Sequence, residues 1–147
     1  MRVLSIVIVS LASVLAASAA DHLKLNPHLD YETDSADGPL ITGDHMDAGA
    51  ATGKANYLII YAEQCYNSKR QARRTVSLYE KYKGRVNFVV VDLDQKRSAA
   101  QKPLIEKYYR GYIPHVVVLA RDGRELYNDD GEVSEEKLAA LLDEASR

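Results

Sequence analysis

The chain has 147 residues, enough for one domain with a substantial core and short for two. Its 46% hydrophobic and 27% charged residues exclude a disordered, collagen-like or multi-span membrane chain. With 19 basic against 21 acidic residues and a net charge of -2 there is no electrostatic ground for a nucleic-acid partner, and a single cysteine, Cys65, excludes an intramolecular disulfide or a cysteine-rich zinc site.

Residues 1–20 combine one early charge, Arg2, an apolar run from Val3 to Ala17 interrupted only by Ser5, Ser10 and Ser13, and the small-residue end Ala17-Ser18-Ala19-Ala20. This pattern predicts a secretory signal peptide, hence an exported protein, periplasmic or secreted, with no stable membrane insertion after cleavage. An uncleaved anchor is the alternative, although the apolar run is short for a span of ~20 residues. Residues 21–53 carry Asp21, Asp30, Glu32, Asp34, Asp37, Asp44 and Asp47 against Lys24 alone, which reads as a flexible acidic leader. Leu23, Leu25 and Leu29 offer it an alternative, docking on the domain. His22, His28 and His45 lack metal-ligand spacing, and no metal or cofactor is expected.

Residues 54–147 are strongly periodic. Tyr57 to Ala62 reads as a strand buried on both faces. Asn67 to Lys83 is free of Gly and Pro, places Ala72, Val76, Tyr79 and Tyr82 at three- and four-residue steps, and stops at Gly84, as a helix does. Val86 to Leu93 is a second strand, and Ser98 to Tyr109 a second helix closed by Gly111. After Pro114 the run VVVLA, the turn dipeptide Asp122-Gly123 and Glu125-Leu126-Tyr127 read as a hairpin. Ser134 caps a last helix whose apolar face is Leu138, Leu141 and Leu142, with acids in its first turn. The order βαβαββα predicts an α/β domain with a mixed sheet covered by helices.

That order, with a cysteine after the first strand and a proline before the third, resembles the thioredoxin fold. Three stretches carry the resemblance: YLIIYAEQCYNSK at 57–69, VVVDLD at 89–94 and GYIPHVVVLARDGREL at 111–126. It implies a central mixed sheet of about four strands flanked by helices. It further implies a cis Ile113-Pro114 bond facing Cys65, and a substrate platform built from Ile113, Pro114 and Tyr66 where an extended peptide can pair.

Departures from the family pattern narrow the function. Where dithiol members carry a second cysteine, Cys65-Tyr66-Asn67-Ser68 ends in serine, which cannot resolve a mixed disulfide. The family's buried acid and its lysine correspond to Ile59 and Val90; Gln64 stands for the tryptophan before the cysteine, and Arg73 for the helix proline. Some C-x-x-S members bind glutathione, but Asn128-Asp129-Asp130-Gly131 reads as a simple turn rather than their signature.

A cysteine at the strand-to-helix junction lies near unpaired helix N–H groups that favour its thiolate. Lys69, Arg70, Arg73 and Arg74 are candidates for added positive potential, Ser68 for a hydrogen bond to the thiolate, and His115 for lowering the Cys65 pKa unless it points into the core. The leading expectation is an exported monothiol protein, oxidoreductase or isomerase-like, whose Cys65 forms mixed disulfides with a protein or small-molecule thiol or disulfide. Its alternatives are a non-catalytic protein-binding module and a Cys65-linked homodimer.

Overall fold

The structure, a computed structural model, describes residues 18–35 and 38–147. The predicted signal segment lies outside the described residues except for Ser18, Ala19 and Ala20. Two short strands, β1 (Asp21–Leu25) and β2 (Ile41–Asp44), precede the expected series β3 (Ala55–Tyr61), α1 (Tyr66–Tyr82), β4 (Val86–Asp92), α2 (Lys102–Tyr108), β5 (His115–Leu119), β6 (Glu125–Asp130) and α3 (Glu135–Ala145).

The main sheet runs β4-β3-β5-β6, with β3 and β4 parallel and the other two pairings antiparallel. All seven residues of β3 are buried because both sheet faces are covered, as its unbroken apolar run requires. Alternation sends Tyr57, Ile59 and Tyr61 into a core shared with α1 and α3, and Leu58 and Ile60 into a smaller one closed by Tyr108 of α2. Helix α2 begins at Lys102 rather than Ser98, with Pro103 in its first turn, where a missing N–H is harmless. Ser134 caps α3 by accepting from the Lys137 amide at 3.2 Å.

The acidic leader is not a solvated spacer. Strands β1 and β2 pair antiparallel, and Leu23, Tyr31, Leu40 and Ile41 are buried in the main core. The Tyr61 hydroxyl accepts from the amides of Leu40 and Ile41 at 3.2 and 3.3 Å, and Tyr31 donates to the Leu40 carbonyl at 2.5 Å. Tyr79 of α1 holds the other end through the Asp21 carboxylate and the His22 amide. Burial of four apolar side chains at about 1.5–3 kcal/mol each outweighs the solvation of acids that remain at the surface. Gly43 leaves no room for a side chain against β1: a Cβ there would stand 2.5 Å from the Asp21 carbonyl.

Candidate functional site

Strand β3 ends beneath the start of α1, and the turn between them makes Cys65 the N-cap residue of that helix. Its carbonyl accepts from the Lys69 amide at 3.0 Å, while its side chain makes no capping hydrogen bond. The sulfur thus belongs to a partly exposed residue at the positive end of a 17-residue helix. Cys65 lines an open groove of about 520 Å³ with Asp34, Ala62, Gln64, Tyr66, Asn67 and Ile113. The Ile113–Pro114 bond is cis, Pro114 is buried with its carbonyl held by the Gly131 amide at 2.8 Å, and neighbouring Tyr112 is 70% exposed. The groove therefore brings together Cys65, Tyr66 and Ile113 from the sequence-predicted set.

The other predicted residues are placed differently. Ser68 is fully buried on the inner face of α1, and its hydroxyl has no hydrogen-bond partner, Cys65 included. Although i and i+3 positions share a helix face, Ser68 is buried beneath that face while Cys65 stays partly exposed, and no hydrogen bond joins them. His115 also does not meet Cys65. Its ring is fully buried, with Nδ1 2.5 Å from Asp130 Oδ1 and Nε2 2.6 Å from Asn128 Oδ1, both on β6. His115 and Asp130 are directly opposite across the β5–β6 ladder, so the cross-strand neighbour occupies the imidazole.

The four basic residues in the first half of α1 are each engaged by groups other than the cysteine. The Lys69 ammonium is buried and donates to the carbonyls of Asp30 and Thr33 at 2.6 and 2.5 Å and to the Ser35 hydroxyl at 3.2 Å. Arg73 pairs with Glu32 at 2.6 Å over the Tyr31 ring, and Arg70 and Arg74 share Glu132 at 3.0 and 3.4 Å. The leader segment 30–35 is thereby clamped to the first two turns of α1. Asp34 at its tip accepts from the Tyr66 amide at 3.0 Å, one of the helix donors otherwise left open. Sequence reasoning missed both Lys69 and Asp34 as site-building residues. The available signal was the position of Lys69 three residues before Ala72, on the helix's inner stripe.

The family's acid–lysine positions, Ile59 and Val90, face each other across the β3–β4 ladder and are both apolar. A different acid stands one step further along: Asp92, opposite Tyr61, is pushed up to about 7 by burial, reinforced by the neighbouring Glu63 carboxyl and opposed by the Asp94 amide. Glu63 is itself buried, held by Gln95 at 2.7 Å while its amide donates to Asp94 at 2.7 Å. Since the folded-state pKa lies above the unfolded value of 3.8, the folded protein holds the extra proton between about pH 4 and pH 7, and stability falls as pH rises through that window. Asp92→Asn is expected to raise unfolding free energy by about 1–2 kcal/mol at pH 8, after discounting for solvent on the exposed side of the group, and by nothing at pH 4. Urea titrations at the two pH values check this, and an equal effect at both would refute it.

Among the described residues no group of three or more His, Cys, Asp or Glu side chains could hold a metal ion, and no helix is long and apolar enough to cross a membrane.

The thioredoxin-like domain family matches residues 43–146. Solved structures with the same fold include thioredoxin-2, described as a component of malaria parasite protein secretion machinery, at 24% identity and a TM-score of 0.52, covering 62% of this chain and 82% of that one. StoA from Bacillus subtilis is 17% identical with a TM-score of 0.52, covering 62% and 84% of the two chains. Fasciola hepatica thioredoxin is 23% identical with a TM-score of 0.50, covering 64% and 83%. No curated protein matches the sequence at a significant level.

Proposed function

Because the chain belongs to the thioredoxin-like domain family, we propose that it is an exported monothiol exchanger that forms mixed disulfides through Cys65. The observation that carries this reading is the position of Cys65: a partly exposed N-cap in an open groove shared with Ile113, beside the cis Pro114. The Cys65 thiolate attacks one sulfur of a partner disulfide; a Cys65–partner bond forms, the partner's S–S bond breaks, and the departing thiolate takes a proton from solvent. Tyr66 and Ile113 form the platform for the partner, while Pro114, next in the chain, is buried and outside the groove lining. Ser68 is buried and carries no thiol, so a second thiol from outside the chain must release the product. Export rests on the character of residues 1–20.

The test incubates the protein lacking residues 1–20 with a small disulfide and reads the mass increase. Stoichiometric modification in wild type and none in Cys65→Ala is the expected result. Wild type that stays unmodified would overturn the reading. A competing reading, a non-catalytic module that binds protein partners, draws on exposed Tyr112 beside the groove. Partner capture undiminished by Cys65→Ala selects it, while a Cys65-linked homodimer would show in non-reducing electrophoresis.

A further inference from the structure

We propose that Asp34 makes the Cys65 groove selective for cationic partners: disulfides flanked by ammonium or guanidinium groups exchange faster than those flanked by carboxylates. This rests on the exchange reading above and specifies its substrate class.

Three observations combine. First, Asp34 is the only charged side chain among the described residues that line the groove. Secondly, its place is built rather than accidental: Lys69, itself fully buried, grips the loop through Asp30, Thr33 and Ser35, Arg73 grips Glu32, and the Tyr66 amide fixes the Asp34 carboxylate at 3.0 Å. Thirdly, none of the cations in the first half of α1 lines the groove: Lys69 is buried, Arg73 is paired with Glu32, and Arg70 and Arg74 share Glu132. An anionic partner thus meets a carboxylate where a bare helix N-terminus would offer it an amide and a favourable dipole. A cationic partner meets the same carboxylate as a counter-ion. Small thiols with carboxylates, glutathione among them, fall in the disfavoured class.

The balance of the step is that of the exchange itself. Cys65 is oxidised to a mixed disulfide, half of the small disulfide is reduced to a thiol, and no further oxidant is required.

The test compares exchange rates of Cys65 with cystamine, which carries two ammonium groups, and dithiodiglycolate, which carries two carboxylates, at neutral pH and low salt. Each rate is divided by that of N-acetylcysteinamide with the same reagent, which removes the intrinsic reactivity of the two disulfides. Wild type is expected to favour cystamine by roughly three- to tenfold, a preference that collapses in about 1 M salt. Asp34→Asn keeps an acceptor for the Tyr66 amide and should bring the ratio near one; Asp34→Lys should reverse it. The same ratio in wild type and both variants overturns the assignment alone. No exchange with either reagent in any of the proteins overturns both the assignment and the exchange reading beneath it.

Discussion

Replacing His115 with alanine is expected to lower the free energy of unfolding by about 3 kcal/mol while leaving the pH profile of Cys65 alkylation where it is in wild type. The imidazole is fully buried and both ring nitrogens are engaged, at 2.5 Å by Asp130 and 2.6 Å by Asn128. Truncation leaves a cavity between β5 and β6 and two polar groups facing it, one of them a carboxylate that is only 29% exposed. Each loss is costly by itself, and they arise together. Asp130→Asn keeps an acceptor opposite the ring and should cost less than half as much. Urea unfolding measures the first quantity and iodoacetamide kinetics the second. A stability loss below about 1 kcal/mol, or a shifted alkylation profile, would show that His115 serves the cysteine rather than the hairpin.

The same residue illustrates what a sequence can and cannot disclose. Alternation along β5 leaves two faces for His115, and choosing between the active-site surface and the core requires the partner strand. The β5–β6 register, with His115 opposite Asp130 and Asn128 two residues away on the same face, decides it. By contrast, the elements that rest on local chemistry were legible. The apolar run of β3 needed no partner to be read as a doubly covered strand, and Ser134 announced its helix through the hydroxyl that caps it. The turn at Asp122-Gly123 was equally local: Gly123 adopts φ +87°, a conformation glycine enters freely.

The leader docks on the domain, the alternative that Leu23, Leu25 and Leu29 offered, and the sequence does not favour that reading for a reason of distance. Its buried residues Leu23, Tyr31, Leu40 and Ile41 are scattered among acids, so no window shows a periodic apolar face, and β1 and β2 are joined by a connection far longer than a hairpin turn. Their stabilisation comes from groups elsewhere in the chain, the Tyr61 and Tyr79 hydroxyls and the Lys69 ammonium. The same distance hides the partners of the Cys65 neighbourhood. Basic residues on α1 read as free charge because the acids and carbonyls that engage them lie in the leader and in the turn before α3.

Lys69→Met should therefore reach further than a single helix substitution usually does, with an expected stability loss of about 2–3 kcal/mol. Methionine fills most of the lysine volume, so the cavity contribution is small, and the effect isolates the three donated hydrogen bonds. Without them the carbonyls of Asp30 and Thr33 face an apolar side chain, and the loop can regain hydration only by lifting from α1. Amide exchange across residues 30–35 should accelerate accordingly. Arg73→Ala breaks an exposed ion pair between the same loop and helix and should cost less than about 1 kcal/mol, since solvent screens that pair and both side chains are mobile without it. A loss in Lys69→Met no larger than in Arg73→Ala would contradict the clamp. If the clamp holds, Lys69→Met also frees Asp34 from its fixed place beside Tyr66, and the preference for cystamine should weaken even though the carboxylate is still present in the chain. Position as well as charge would then govern the selectivity, which links the buried lysine to the chemistry at Cys65 through the leader that lies between them.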